Sequence, residues 1–146
     1  MNRKINNYKK SIKGVIFLSI SFFIIALTQE CFCVFPKPCV MGYMSFLFGW
    51  LGVLAADPAS FVWIANPLLF ASWVKIRKST RISFVLSILS LIIMVSFLFA
   101  GKIIVSESGS LQEINSIKIG YWLWVLSAFT MIIGNGFLYY MKRKKD

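Results

Sequence analysis

The sequence predicts an all-α membrane protein, a bundle of four transmembrane helices with one additional interfacial or re-entrant helix on the outer side. Two features of its composition carry this prediction. Hydrophobic residues make up 58% of the 146-residue chain, and a mean hydropathy of +0.76 is far too high for a soluble domain. Charged residues make up 14%, against about a quarter in soluble proteins, and fall in short clusters between long apolar segments.

The residue usage also argues against several kinds of function. The chain has 16 Lys or Arg against 5 Asp or Glu, a net charge of +11, and contains no His. Histidine is the commonest general base, proton shuttle and metal ligand. Because paired acids are missing as well, the sequence predicts no catalytic residue, no metal site and no cofactor.

The first predicted span covers residues 14–28 and follows a run of lysines and arginine at the start of the chain. A cleavable signal peptide begins in the same way. However, Thr28-Gln29-Glu30-Cys31 has no small-x-small cleavage pattern, and Gln29-Glu30 before Cys31 does not suit a lipoprotein signal. We therefore predict an uncleaved signal anchor.

Two later spans are predicted at 82–100 and 119–141. Each has about 20 residues, which is enough to cross roughly 30 Å of hydrocarbon at 1.5 Å per residue. Aromatic residues at 121–124 and 139–140 mark the two ends of the last span, as is typical of membrane interfaces.

The apolar region 40–74 is long enough for one crossing with a surface piece or for two crossings. Basic clusters at the N-terminus, at 75–81 and at 142–145 decide between them, because Lys and Arg concentrate on the cytoplasmic side. A single crossing at 58–74 puts all three clusters on that side. The sequence therefore predicts one integral domain over 1–146, in a bacterial inner membrane, with both termini cytoplasmic.

The segment 41–56 then lies on the outer side and is too apolar to be a free loop. Gly42, Ser45, Gly49 and Gly52 recur at helical spacing and form a narrow small-residue face. We predict a helix buried against the bundle, with Gly49 and Gly52 as its packing residues.

Three cysteines follow the first span. In an oxidising periplasm a disulfide is expected, either Cys33–Cys39 or Cys31–Cys39, since Cys31–Cys33 would be strained. The alternative is a periplasm-facing thiol redox protein. Quinone-coupled enzymes of that kind use a Cys-x-x-Cys pair and a second pair, whereas the spacing here is Cys-x-Cys and the second outer loop, 101–118, has no cysteine.

Asp57 stands immediately before the predicted second span. Followed by Pro58, it is typical of a helix start, with the carboxylate as N-cap and proline at the first helical position. The alternative is a proton or ion role, since ionisable groups near apolar spans are often functional.

Asn66 and Pro67 interrupt the second span. Pro67 predicts a kink, and the Asn66 amide needs a partner, for which Asn135 in the last span is one candidate. The functional alternative is a discontinuous helix that opens a binding site, as in transporters. Ser83, Ser87 and Ser90 form a stripe along the third span, which predicts helix packing.

Three pieces of the chain together resemble a scattered group of small bacterial inner-membrane proteins with about four spans and no assigned activity. The pieces are Gly49-Trp50-Leu51-Gly52, then Trp63-Ile64-Ala65-Asn66-Pro67, and Gly120-Tyr121-Trp122-Leu123-Trp124 with Ser127. The resemblance implies no activity or cofactor. It implies that the outer helix and the kinked second span form one structural unit.

The leading functional hypothesis is a non-catalytic helix bundle that acts through contacts with the lipid bilayer, with another membrane protein, or with further copies of itself in a homo-oligomer. A specific form is an immunity protein that guards a membrane against a pore-forming bacteriocin, with that toxin as its partner. A small transporter or channel is the alternative, but the first span lacks the embedded Glu of small multidrug transporters. No nucleic-acid partner is expected, because membrane topology accounts for the basic clusters.

Overall fold

A computed structural model describes residues 2–35, 39–104 and 110–143, and it is mostly helical. The helices are α1 (Asn2–Leu27), α2 (Gly42–Leu54), α3 (Ala65–Lys75), α4 (Thr80–Ser96) and α5 (Ile119–Arg143), with 3-10 helices at Pro58–Ile64 and Phe97–Phe99. Within the described part of the chain, three helical segments are long and apolar enough to cross a membrane: Tyr8–Leu27, Thr80–Phe99 and Ile119–Met141.

The long helices pack side by side in the order α1, α5, α4, α3. Gly134 of α5 allows a close approach to α1, because a Cβ added there would overlap the side chain of Val15. One turn further along, the buried Ser19 hydroxyl of α1 donates a hydrogen bond to the Ser127 carbonyl at 2.8 Å. Small side chains therefore bring α1 and α5 together.

A four-stranded sheet is the main departure from the all-α prediction. Its strands are β1 (Glu30–Phe35), β2 (Cys39–Met41), β3 (Lys102–Ile104) and β4 (Leu111–Ile117), in the order β2-β1-β4-β3 with every neighbour antiparallel. The two segments predicted as outer loops each form a hairpin, and the hairpins join through β1 and β4. Of the predicted loop 101–118, residues 105–109 lie outside the described part.

The sheet covers the end of the bundle where α1 ends and α5 begins, which we call the sheet end. Phe32 and Val34 of β1 pack there with Phe97 and Tyr121 in a second hydrophobic core. The main core runs down the bundle around Leu69, Met94, Met131 and Leu138.

The opposite end, which we call the turn end, is formed by the start of α1, the turn between α3 and α4, and the end of α5. The Tyr8 hydroxyl lies 3.2 Å from Oγ1 of Thr80, and the Arg81 guanidinium lies over the Tyr139 ring, 5.8 Å from its centroid. Lys9, Lys10 and Lys13 of the first basic cluster, and the second cluster at 75–81, thus lie at the turn end. The side chains of Arg3 and Lys4 and those of the third cluster, 142–145, lie outside the described part.

The segment predicted as the second span has two parts. The 3-10 helix Pro58–Ile64 runs directly into α3, which has 11 residues and is too short to cross a membrane alone. Pro67 lies in the first turn of α3, so the N–H that proline lacks is missing close to the junction with the 3-10 helix. The break in the predicted second span therefore lies where the 3-10 helix changes to the α-helix, and not in the middle of an α-helix.

Candidate functional site

A cavity of about 810 Å³ lies between α2, the sheet and the adjacent parts of the bundle. Met44, Phe48 and Leu51 of α2 line one side, and Phe32, Val34 and Val40 line the side formed by the sheet. Aromatic side chains, including Phe23, Trp63, Tyr121 and Trp124, line other parts of the cavity. The volume and the apolar lining are those of a small-molecule site, which typically encloses about 300–1,000 Å³.

The cavity exists because α2 is fixed near both of its ends and spans the gap between the end of α1 and the 3-10 helix. At its start, the Gly42 N–H donates to the Gln29 carbonyl at 2.8 Å. A Cβ at Gly42 would overlap the Ala26 carbonyl oxygen, so only glycine allows α2 to begin against the end of α1.

Further along, α2 docks on the 3-10 helix through the predicted glycine face. A Cβ at Gly49 would lie 2.7 Å from Cδ1 of Trp63, and one at Gly52 would overlap the Ser60 hydroxyl. Trp63 also donates from Nε1 to the Phe46 carbonyl at 2.8 Å. Gly49 and Gly52 therefore lie at a close helix contact, and Trp63 holds it by a hydrogen bond.

Few polar side chains line the cavity. The Ser45 hydroxyl is enclosed and has no hydrogen-bond partner in the described structure. Oδ1 of Asn66 accepts a hydrogen bond from Trp124 Nε1 at 2.9 Å. The Cys31 thiol is free, and burial raises its pKa to about 12, so it is protonated at neutral pH.

Asp57 lies outside this cavity, at the N-cap of the 3-10 helix, where the Asp-Pro pair predicts a cap. Its Oδ2 accepts from the Ser60 N–H at 3.1 Å and from the Ser60 hydroxyl at 2.5 Å. The side chain is buried, and Oδ1 has no partner among the described residues. A smaller cavity of about 500 Å³ lies beside it, towards Phe97 and Lys102.

Cys33 and Cys39 are joined in a disulfide and face each other across β1 and β2. Glu30 lies close enough to both sulfurs to suggest a metal site by distance alone. Metal ions, however, bind the thiolate, and neither sulfur in a disulfide has one. This cluster is therefore not a metal site while the disulfide is intact.

Asn66 and Asn135 do not meet, so the pairing considered for them is wrong. Asn135 donates from Nδ2 to the Ser83 hydroxyl at 3.0 Å, and its Oδ1 has no partner in the described structure. Trp124, the partner of Asn66, and Asn135 are eleven residues apart on α5, which is about 16 Å along a helix. The two amides therefore lie at different depths of the bundle.

The predicted serine stripe is buried, and two of its members bind the backbone of α3. The Ser83 hydroxyl donates to the Ser72 carbonyl and the Ser90 hydroxyl to the Ala65 carbonyl, both at 2.9 Å. Ser87 donates to the Phe84 carbonyl in its own helix. The stripe therefore joins α4 to α3.

Sequence reasoning missed Cys31, Ser45, Trp63 and Trp124 as members of one site. Ser45 carried the only usable signal, because it belongs to the same small-residue face as Gly42, Gly49 and Gly52. What the site offers chemically is a half-open apolar groove with a neutral thiol and an amide whose Oδ1 is already bonded to Trp124. Such a set suits binding of an apolar molecule.

Comparison of the chain with protein families, with curated proteins and with solved structures finds no match.

Proposed function

We propose that this chain is a four-span protein of a bacterial inner membrane that acts without catalysis, through contacts with lipid or with another membrane protein. The main support is the path of the chain between α1 and α4. Tyr8 and Thr80 lie side by side at the turn end, although α1 ends at the sheet end. Between Leu27 and Thr80 the chain must therefore return along the bundle, and the 3-10 helix with α3 provides the return.

The length of that return supports a complete crossing. At about 2.0 Å per residue in a 3-10 helix and 1.5 Å in an α-helix, Pro58–Ile64 and Ala65–Lys75 together rise about 30 Å, the thickness of a hydrocarbon core. Leu69 and Ser72 of α3 are fully buried, so this segment belongs to the bundle as much as the longer helices do.

Charge and redox chemistry support an orientation with both termini in the cytoplasm. The turn end carries the cations of α1 and of 75–81, and these favour the cytoplasmic side. The sheet end carries Glu30, Glu113 and the disulfide, and disulfides persist in the periplasm.

The chemistry of the site supports a role without catalysis. A thiol redox enzyme needs a reactive thiolate, but burial keeps the Cys31 thiol neutral, and the Cys33 residue is largely buried within its disulfide. Transport needs a polar path, whereas Ser83 and Ser90 already bind the backbone of α3. Both alternatives lose support as a result.

One observation favours a protein partner, in the manner of an immunity protein. Phe35 at the sheet end is 72% exposed. Exposed apolar groups at such a position suit contact with another protein, including a toxin. A toxin gene beside the gene for this chain would favour this form of the proposal.

Reporter fusions at both termini test the topology. We expect a C-terminal green fluorescent protein to fluoresce and a C-terminal alkaline phosphatase to be inactive, since four spans return the chain to the cytoplasm. An active C-terminal phosphatase with a cytoplasmic N-terminus would indicate an odd number of crossings and contradict the proposal. Capture of the tagged chain in mild detergent then tests for a stoichiometric membrane-protein partner.

A further inference from the structure

We propose that reduction of the Cys33–Cys39 disulfide turns the β1–β2 hairpin into a Zn²⁺ site, in which the two thiolates and the Glu30 carboxylate bind the ion. The inference concerns a different part of the molecule from the apolar cavity and goes beyond the function proposed above. Because a metal ion binds thiolates and a disulfide has none, the same side chains hold either a disulfide or a metal ion, never both.

The three candidate ligands already lie together. A carboxylate oxygen of Glu30 and the sulfurs of Cys33 and Cys39 are all within 4.8 Å of one another. On a tetrahedral Zn²⁺ ion, with Zn–S of about 2.3 Å and Zn–O of about 2.1 Å, two ligand atoms lie about 3.5–3.8 Å apart. Once the bond between the sulfurs is broken, rotation of the side chains is enough to bring all three ligand atoms to these distances.

An irregularity in β1 brings Glu30 to the two cysteines. Across β1 and β2, Cys33 lies opposite Cys39 and Glu30 opposite Met41. Cys39 and Met41 are two residues apart and share a face of β2, whereas residues three apart in a regular strand, such as Glu30 and Cys33, point to opposite faces. The register shifts between Glu30 and Phe32, and this extra residue in β1 puts Glu30 on the face of the disulfide.

The sheet holds the cysteines opposite each other without the crosslink. β1 is paired along its other edge with β4, where Cys33 lies opposite Ser116. Phe32 and Val34, on either side of Cys33, are buried in the second hydrophobic core. A reduced hairpin is therefore still held in register and presents both thiols to one ion.

The reductant in this proposal is a dithiol. Its thiolate attacks a sulfur of the Cys33–Cys39 bond and forms a mixed disulfide, which its second thiol resolves, so that the reductant leaves as a disulfide. Two electrons and two protons thus pass to the protein, which now carries two thiols. Zn²⁺ then replaces the two thiol protons, and these pass to water.

The ligand set and its access to solution favour Zn²⁺. Thiolates disfavour Mg²⁺ and Ca²⁺, which bind oxygen ligands, and a carboxylate disfavours Cu(I), which binds sulfur. Glu30 is exposed, and no described residue forms a salt bridge or hydrogen bond with its carboxylate. The ion can therefore enter from solution and keep a water molecule as its fourth ligand.

Competition with a chromophoric zinc chelator tests the site on the full chain in a mild non-ionic detergent. The chain is reduced with dithiothreitol, which is then removed without exposure to air. We expect the reduced chain to bind a single Zn²⁺ and the oxidised chain to bind it at least about a hundredfold more weakly. Co²⁺ in place of Zn²⁺ should give the charge-transfer absorption of a thiolate-bound ion.

Variants identify the ligands. Glu30→Gln should weaken Zn²⁺ binding about tenfold and Cys39→Ser about a hundredfold, because loss of even an outer-shell partner costs about 10–100-fold in metal affinity. The matched controls are Glu113→Gln, which removes another carboxylate at the sheet end, and Cys31→Ser, which removes the free thiol. Both controls should bind Zn²⁺ as the wild type does. Because Glu30→Gln keeps both cysteines, its disulfide verifies its fold before reduction.

Equal Zn²⁺ binding by the oxidised and reduced chains would overturn the proposal, as would wild-type affinity in Glu30→Gln. A loss of affinity in Cys31→Ser as large as that in Cys39→Ser would also contradict it, because the ion would then use a different thiol. None of these outcomes bears on the number of membrane crossings, which the terminal fusions test separately.

Discussion

Trp124 of α5 donates a hydrogen bond from Nε1 to Oδ1 of Asn66 at 2.9 Å, and so joins the last helix to the first turn of α3. Ala65, next to Asn66, accepts from Ser90 of α4. The point at which 3-10 geometry changes to α geometry is therefore held from two neighbouring helices. Both residues of the Trp124–Asn66 pair also line the apolar cavity.

Trp124→Phe should lower the free energy of unfolding by about 1–3 kcal/mol, because it leaves the buried side-chain oxygen of Asn66, Oδ1, without its hydrogen-bond donor. Thermal unfolding in detergent measures the loss. Trp122→Phe is the matched control, since the Trp122 side chain is half exposed and should give no comparable change. Equal effects of the two variants would contradict the role assigned to this bond.

Gly49→Leu and Gly52→Leu should each destabilise the fold by at least the 1–3 kcal/mol typical of overpacking, because the new side chains meet Trp63 and Ser60. Gly136→Leu is the control, since a Cβ at Gly136 meets open space. Unfolding temperatures in one detergent compare the three variants. Wild-type stability of either α2 variant would show that α2 does not dock as described.

Replacing both Cys33 and Cys39 with Ala should cost about 2 kcal/mol, the chain-entropy value for a loop closed over a separation of six residues. Cys31→Ala removes a thiol and no crosslink, and should change stability much less. Alkylation of the denatured chain supplies the check. One cysteine should react before reduction and three after it.

Stability should fall at alkaline pH because of Cys31. Its pKa is raised from 9.0 to about 12 by burial, so at a pH well below 9 the thiol is neutral in both states and its contribution is fully present. Between pH 9 and 12 the unfolded thiol loses its proton while the folded thiol keeps it, which favours unfolding. The difference in unfolding free energy between wild type and Cys31→Ser should therefore change across this range. A pH-independent difference would show that the thiol is not buried.

Ala56→Gly should stabilise the protein by about 0.5–1 kcal/mol. Ala56 follows the end of α2 with a φ of 54°, in the left-handed region that glycine occupies without steric cost. The Asp57 N–H donates to the Gly52 carbonyl across this turn, so the conformation is fixed by the fold. Ala55→Gly, one residue earlier at φ −77°, should destabilise and serves as the control.

The helices follow from local sequence, but the sheet does not. Runs of apolar residues identify α1, α4 and α5 without knowledge of the rest of the fold, because crossing length depends only on the run itself. The strands of the sheet have three to seven residues. β1 pairs with β4, which is separated from it in sequence by α2, α3 and α4. Alternating residues in such short segments do not reveal a partner so distant.

The same distinction applies to the candidate site. Asp57 lies where an Asp-Pro pair predicts a cap, because capping involves neighbours within three residues. The partners of Asn66 and Asn135 depend instead on the relative depth of three helices, which hydropathy does not specify. The cavity depends on where α2 lies across the sheet, and so no single segment encodes it.

The pairing of β1 with β4 also orders the biosynthesis of the protein. β1 and β2 emerge early and can close their hairpin through Cys33 and Cys39 as soon as that segment is exposed to an oxidant. The other edge of β1 must wait for β4, which is made only after α4, immediately before the last helix. Until then β1 presents an unpaired edge, the type of surface on which newly made chains aggregate. A truncated product that ends within α4 would keep that edge open permanently, and we expect it to aggregate more readily than the full chain.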